Sequence, residues 1–224
     1  MNIRYYIRKL KISFLLRKIK RRTRRFLNNI KPDDDEEIQL NQVYYHKFSL
    51  PNFTPVLDLP NGGGMSGHFL LLFNITRELK AQHVVEIGLG DGNSSLIFLL
   101  ALKETGGMLS SIEVTPREKA IKRIRNAGLE NYWNLIQGYS QDVVSKLAKK
   151  PIDILLIDGK HSYNQCKLDY LLYSPLVKSG GYIIFHDSSN FLGVKKFAEE
   201  ILQQKKECMF FPWCNGIFVL RKTN

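Results

Sequence analysis

Three glycines alternate with other residues in the loop after a short β-rich segment, at Gly88, Gly90 and Gly92. Glycine lets a backbone approach a ligand closely and adopt positive φ without a steric penalty. Asn93 and Ser94 then begin a predicted helix, whose first N–H groups have no partner within the helix and can face a ligand. This order of residues predicts a strand, a loop and a helix that together bind a nucleoside.

A carboxylate ends the second predicted strand at Glu113, 23 positions after Gly90. That separation is close to the one expected in a nucleoside-binding βαβ unit, in which an acid accepts the ribose hydroxyls. A glycine loop alone is compatible with a simple tight turn, and an acid alone with an exposed loop. Together, the loop and Glu113 favour a nucleoside site.

A second set of polar residues follows the fourth and fifth predicted strands, at Asp158, His161, His186 and Asp187. Because adjacent parallel strands bring their carboxyl ends to one edge of a sheet, we expect these side chains to meet. Asp158, His186 and Asp187 are predicted to bind a divalent cation such as Mg²⁺, which would hold an acceptor hydroxyl. His161 is predicted to take the hydroxyl proton beside Asp158, because an ordinary imidazole titrates near neutral pH. The alternative is that these residues shape a pocket without a metal.

Short β-rich runs alternate with helical stretches along most of the chain. The β-rich runs lie at 83–88, 108–114, 133–137, 153–158, 182–186 and 216–220. The helical stretches lie at 66–80, 93–104, 116–127, 141–149, 163–177 and 194–206. Strands that alternate with helices form βαβ crossovers, so the predicted fold is α/β with a mainly parallel sheet and helices on both faces.

The glycine loop resembles the first motif of class I S-adenosylmethionine-dependent methyltransferases, in which an acid precedes three alternating glycines. The resemblance implies a Rossmann-like, doubly wound sheet of seven strands, with S-adenosylmethionine as the cofactor. The acid and the glycine loop would hold its methionine and ribose portions, Glu113 its ribose hydroxyls, and the loop after strand three its adenine. The implied cofactor-binding residues are Glu86, Gly88, Gly90, Gly92, Asn93, Ser94, Glu113, Val114, Tyr139, Ser140 and Asp158. Met65 and Ser66, which precede the first domain helix, are expected to cover the cofactor.

The stretch from Ile157 to Asp187 is similar to the metal-dependent branch of that family, which methylates hydroxyls of small molecules and sugars. That branch has an acid after strand four, a Gly-Gly pair before strand five and an Asp-Asn or Glu-Asp pair after it. Asp158, Gly180-Gly181 and His186-Asp187 occupy these places, and the resemblance covers residues 65–222. His186 departs from the branch, because an imidazole binds magnesium more weakly than the usual acid. The resemblance implies metal-assisted O-methylation of a small-molecule or glycan acceptor.

Two other classes of function stay open. An NAD-dependent oxidoreductase would carry a third glycine at position 93, which is Asn in this chain. A non-catalytic, membrane-docked scaffold with the same fold would bind no cofactor. A nucleic-acid base methyltransferase is disfavoured, because the turn 158–161 lacks the Pro-Pro-aromatic pattern that holds a flipped base.

The formal net charge of +12 is concentrated at one end of the chain. Residues 1–25 hold eleven Lys and Arg residues and no acid, so the remainder is nearly neutral. Apolar residues recur among these cations at helical spacing, so residues 1–30 are predicted to form a basic amphipathic helix. Such a helix attaches to an anionic membrane surface or an acidic partner, or packs on the domain or on a second subunit of a homo-oligomer. Since the cations lie outside the predicted site, nucleic acid is not an expected partner.

Composition predicts the remaining organisation. Residues 31–64 include five consecutive acids and are predicted to form an acidic linker and entrance segment, followed by the catalytic domain at 65–224.

Cys166, Cys208 and Cys214 form no CxxC pair, so reduced thiols in the cytoplasm are expected. The sequence shows no apolar run long enough to cross a bilayer and no secretory signal. The expected location is therefore the cytoplasm, at the inner face of the membrane if the basic helix binds it.

Overall fold

In the computed structural model, a seven-stranded sheet has helices packed on both of its faces. The structure describes residues 17–22, 24–26, 28–29, 34, 36–40, 64–204 and 207–223. The predicted α/β class and the doubly wound, mainly parallel sheet of seven strands are confirmed. Predictions that concern residues 1–16, 30–33 and 41–63 lie outside the described residues.

The strands are β1 His83–Ile87, β2 Met108–Glu113, β3 Trp133–Gln137, β4 Ile152–Ile157, β5 Val177–His186, β6 Cys208–Phe211 and β7 Ile217–Arg221. Their order across the sheet is β3-β2-β1-β4-β5-β7-β6. The first five strands pair in parallel, while β7 pairs antiparallel with β5 and β6 pairs antiparallel with β7. The chain order reverses at β1 and β4, and ligands of α/β sheets bind beside the carboxyl ends of strands at such a point.

The helices are α1 Phe69–Glu78, α2 Asn93–Thr105, α3 Glu118–Asn126, α4 Ser140–Leu147, α5 Tyr163–Tyr173 and α6 Leu192–Gln203. The first three pack on one face of the sheet and the last three on the other. β1 and β4 are buried along their whole lengths. Burial on both faces explains why β4 is apolar almost throughout instead of alternating with polar residues.

Two strands differ from the sequence-based expectation. β5 begins at Val177 instead of residue 182, because the glycine-rich stretch that resembles a turn is paired: Gly180 N donates to Lys222 O at 2.7 Å. β6 is not predicted from sequence, because four residues without apolar–polar alternation give too short a signal.

The basic N-terminal segment packs on the domain over the part that is described. Residues 17–22 and 24–26 are helical, as predicted. Ile19 is buried in the core on the side of α4–α6, and the ring of partly buried Phe26 lies 5.9 Å from Lys167 Nζ. The two apolar residues of the described part of this helix, Ile19 and Phe26, therefore pack against its own domain.

Residues 36–40 run beside the loop that follows β5. Leu192 N donates to Ile38 O at 2.8 Å, and Leu40 N donates to Asn190 O at 2.6 Å. This pairing brings the end of the acidic run to the carboxyl edge of the sheet. Within the described residues, no helix has both the length and the apolar character needed to span a membrane.

Candidate active site

A cavity of about 820 Å³ opens at the carboxyl ends of β1, β2, β4 and β5. All four residues predicted to carry the chemistry line it: Asp158, His161, His186 and Asp187. Most of the predicted cofactor residues line it too: Met65, Gly88, Gly90, Asn93, Ser94, Glu113, Val114, Tyr139, Ser140 and Asp158. The structure places three others outside the lining: Ser66, Glu86 and Gly92. One cavity thus joins the two sets of residues that the sequence singles out.

The glycine loop packs closely against the loop after β4. Gly88 has a φ of +94°, a conformation that residues with a side chain rarely adopt. A Cβ at this position would lie 2.1 Å from the carbonyl oxygen of Asp158. Because Gly88 has no side chain, the glycine loop and the loop after β4 can pack directly against each other.

Glu86 lies buried beneath the glycine loop. Its carboxylate accepts hydrogen bonds from Ser94, from Ser95 at 2.6 Å and from Ser111 at 2.8 Å. Burial raises the pKa of Glu86 to about 7, in spite of these three donors. Glu86 ties the start of α2 to β1 and β2, so it holds the loop in place from behind the cavity.

Glu113 forms part of the cavity wall as an ionised carboxylate. Its Oε2 accepts from Leu89 N at 3.1 Å, and its Oε1 accepts from Val114 N at 2.9 Å. Burial alone would raise the pKa of Glu113, but donors on Thr115, Arg117 and Leu89 outweigh it and lower the pKa. A carboxylate in this state can accept from a pair of hydroxyls.

Tyr139 and Ser140 form the side of the cavity next to β3. Tyr139 is 57% exposed, and Ser140 Oγ donates to the carboxylate of buried Asp169. Gln165 Nε2 donates to the same carboxylate at 2.9 Å, and burial raises the pKa of Asp169 to about 7. Asp169 and Gln165 therefore add polar groups to this part of the lining.

Two imidazoles share two carboxylates at the opposite end of the cavity. His161 Nε2 lies 2.9 Å from Asp187 Oδ2 and 3.6 Å from Asp158 Oδ1. His186 Nδ1 lies 3.1 Å from Asp158 Oδ1 and 3.3 Å from Asp187 Oδ2. The residues after β4 and β5 thus meet as expected from the parallel pairing of these strands.

The two carboxylates raise the pKa values of both imidazoles. Burial lowers the pKa of His161, but Asp158 and Asp187 outweigh it and raise the pKa to about 9. Burial acts on His186 in the same way, and the same carboxylates raise its pKa well above the ordinary value. His161 therefore holds its proton at neutral pH when no further cation is near, unlike the neutral base expected from the sequence.

The cluster also fits a divalent cation. One atom each of Asp158, His161 and Asp187 lies within 4.8 Å of the other two. Asp187 Oδ1 is buried and accepts no hydrogen bond from the residues that the structure describes. His186 Nε2 lies 3.2 Å from Gly64 O, and an outer contact of this kind orients a metal-ligating imidazole. The predicted ligands Asp158, His186 and Asp187 lie together, and His161 joins them.

Glu37 is a site residue that the sequence does not single out, because it ends a run of acids. Its carboxylate accepts from the backbone N–H of His161 and lies 3.5 Å from His161 Nδ1. Phe191 stacks on the imidazole of His161 with ring centroids 4.2 Å apart. These two residues restrain the imidazole from different directions.

Comparison with known proteins identifies the domain. Residues 85–188 match the family model described as a methyltransferase domain. A protein of Mycobacterium sp. (strain KMS), provisionally named an O-methyltransferase, is 33% identical over 120 residues. That match covers 52% of this chain and 53% of the relative, so the chain spans about half the length of the curated relatives it matches.

Two solved structures have a similar fold. The O-methyltransferase TomG from Streptomyces achromogenes, in complex with SAM, is 19% identical with a TM-score of 0.58, and the match covers 76% of this chain and 83% of that one. The O-methyltransferase from Bacillus cereus, in complex with SAH, is 18% identical with a TM-score of 0.58, and the match covers 74% and 85%. Residues 85–188 therefore match a methyltransferase domain, and the chain has the fold of these two O-methyltransferases, in agreement with the resemblance noted in its sequence.

Proposed function

We propose that this chain transfers a methyl group from S-adenosylmethionine to a hydroxyl of a small molecule or sugar, with a divalent cation at the acceptor end. The observation that carries the proposal is the single cavity that runs from Glu113 to Asp187. A carboxylate suited to ribose hydroxyls lies at one end and a cation-compatible cluster at the other. The match to a methyltransferase domain supports this reaction over the NAD-dependent and non-catalytic alternatives.

Bound S-adenosylmethionine would supply a methyl group made electrophilic by its sulfonium charge. Glu113 would accept the ribose hydroxyls, while Tyr139 and Ser140 would flank the adenine. Met65, buried at the cavity, would cover the cofactor. Methyl transfer is an in-line displacement that depends on alignment, so the main task of these residues is to fix the position of the reacting group.

Asp158, His186 and Asp187 would hold a divalent cation such as Mg²⁺. The cation would supply positive charge that lowers the pKa values of the acceptor hydroxyl and of His161. With its pKa lowered from about 9, His161 would accept the hydroxyl proton at Nε2 near neutral pH. Glu37, at the other side of the imidazole, would keep the ring in that orientation.

Formation of S-adenosylhomocysteine on a panel of diols and sugars, with and without EDTA, tests this proposal. We expect turnover of at least one acceptor, loss of that turnover with EDTA and recovery on adding Mg²⁺ or Mn²⁺. Turnover that EDTA leaves unchanged would remove the cation from the proposal. Binding of NAD in place of S-adenosylmethionine would favour the oxidoreductase, and binding of neither would favour the scaffold.

We also propose that the basic N-terminal helix contacts an anionic membrane surface. Seven exposed Lys and Arg side chains lie within residues 17–25, whereas Ile19 and Phe26 pack inward. The contact would therefore be electrostatic, without insertion of this part of the helix. Co-sedimentation with phosphatidylserine vesicles tests it, with an Arg21→Ala/Arg24→Ala variant expected to bind less than the wild type. Equal sedimentation of the two proteins would contradict the proposal.

A further inference from the structure

A second cavity, of about 430 Å³, lies at the other edge of the sheet, where β1, β2 and β3 begin. Its polar floor comes from three adjacent strands, at His83, Ser110 and Asn134. Further along the same strands, the residues facing α4–α6 are core residues: Val85, Ile112 and Ile136. Polar side chains therefore replace apolar ones only where this face borders the cavity.

The rim of this cavity is positively charged. Lys146 lies in the last turn of α4, and Lys149 and Lys150 follow the helix. Among the described residues that line the cavity there is no Asp or Glu. A lysine in the last turn offsets the helix dipole, whereas Lys149 and Lys150 lie beyond the helix and line the cavity with exposed side chains.

The buried carboxylate beside this cavity is already engaged. Asp153 accepts hydrogen bonds from Gln82 N at 2.8 Å and His83 N at 2.9 Å. Its other oxygen lies 2.6 Å from Lys178 Nζ. Asp153 therefore binds the start of β1 and Lys178. The three rim lysines receive no counter-charge from the residues that line the cavity.

His83 is a neutral, polar residue at the floor of this cavity. Its Nδ1 lies 3.3 Å from Pro151 O and its Nε2 lies 3.2 Å from Ser110 Oγ. Donation from Nδ1 to the carbonyl leaves Nε2 to accept from the hydroxyl. Burial lowers the pKa of His83, so this residue adds no fourth positive charge to the cavity at neutral pH.

We propose that this cavity binds a phosphate group, either as free phosphate or as part of a small phosphorylated molecule. Three ammonium groups favour a multiply charged anion over a monocarboxylate, because each adds a Coulombic attraction. Asn134 supplies an amide donor at the floor, while the N–H of His83 and the hydroxyl proton of Ser110 are already donated within the protein. The site is separate from the active-site cavity, so the inference does not rest on the proposed methyl transfer.

Calorimetric titration of the full chain with inorganic phosphate, and separately with glucose 6-phosphate, tests the site at constant ionic strength. We expect saturable binding, weakened at least about tenfold in a Lys149→Ala/Lys150→Ala variant, which removes two charge-assisted contacts. Lys122→Ala on α3 and Arg21→Ala/Arg24→Ala in the N-terminal helix are matched controls and should bind like the wild type. The ligand that binds with the higher affinity shows whether the site prefers free phosphate or a phosphorylated small molecule.

Three results would overturn the inference: no saturable binding to the wild type, unchanged binding in the Lys149/Lys150 variant, or an equal loss in the Arg21/Arg24 variant. The last result would assign the binding to the basic helix. As a measurement at the site, the ring signals of His83 in an NMR spectrum should shift on adding phosphate, and those of His161 should not. A shift of both imidazoles alike would also contradict a local site.

Discussion

The backbone of Asp158 lies where a side chain on Gly88 would begin, since a Cβ there would be 2.1 Å from the Asp158 carbonyl oxygen. Gly88 belongs to the loop that would hold the cofactor, and Asp158 to the cluster that would hold the acceptor. Direct packing of these two loops would therefore fix the distance between cofactor and acceptor. Methyl transfer requires such alignment.

Gly88→Ala should disrupt the site far more than Gly90→Ala. Both residues have positive φ, but a Cβ on Gly90 meets nothing within 4 Å. The strain at Gly90 is then that of the backbone alone, about 1 kcal/mol, whereas Gly88→Ala also forces two loops apart. Urea unfolding and titration with S-adenosylmethionine measure the two effects. Equal losses of stability and affinity in the two variants would contradict the packing argument.

His186→Ala should weaken Mn²⁺ binding by at least about tenfold, and His161→Ala should weaken it much less. The reason is that His186 Nε2 contacts Gly64 O, which leaves Nδ1 directed at both carboxylates. Calorimetry with Mn²⁺ measures the affinities, and Asp169→Asn serves as a control within the same cavity. The opposite ranking would make His161 the ligand and remove it as the proton acceptor.

Glu37→Ala should lower methyl transfer by about tenfold while leaving the affinity for S-adenosylmethionine unchanged. Glu37 contacts His161 at the acceptor end, and its loss would free the imidazole without touching Glu113. Glu36→Ala, one position earlier and exposed, provides the matched control. If Glu36→Ala reduced turnover to the same extent, general loss of acidic charge would be the cause.

Glu86 should make the folded state less stable as the pH rises from about 5 to about 8. The pKa of Glu86 is raised from 4.5 to about 7 in the folded state, so the stability present below 4.5 is lost as the pH passes through 7. The loss amounts to roughly 3 kcal/mol, since one pKa unit corresponds to about 1.4 kcal/mol. Urea unfolding at pH 5 and pH 8 should show a smaller difference for Glu86→Gln than for the wild type. An identical pH dependence of the two proteins would contradict this role of burial.

The sequence predicts which residues reach the carboxyl edge of the sheet, because strand ends can be located from short apolar runs and their flanking glycines. Glu113, Asp158 and Asp187 are found in this way, and all three line the cavity. The position of Glu86 is not predictable in this way, because a strand buried on both faces has no apolar–polar alternation to reveal which face a residue occupies.

Two properties of the site depend on contacts between distant parts of the chain. Glu37 meets His161 only because residues 38–40 pair with the loop after β5, and nothing in a run of acids indicates that pairing. The raised pKa of His161 arises from Asp158 and Asp187 together, and the two carboxylates meet only when β4 and β5 are adjacent. Local patterns locate such residues but do not give their charge states.

Calorimetric titration of S-adenosylmethionine into the full chain tests whether the cavity binds this cofactor through the carboxylate of Glu113. We predict saturable binding to the wild type, at least about tenfold weaker binding to Glu113→Ala, and unchanged binding to Glu118→Ala on the same side of the sheet. Loss of a carboxylate that accepts ribose hydroxyls is the physical reason for this difference. Absence of binding to the wild type would show that the cavity does not hold S-adenosylmethionine, and equal affinity of all three proteins would show that Glu113 does not bind it.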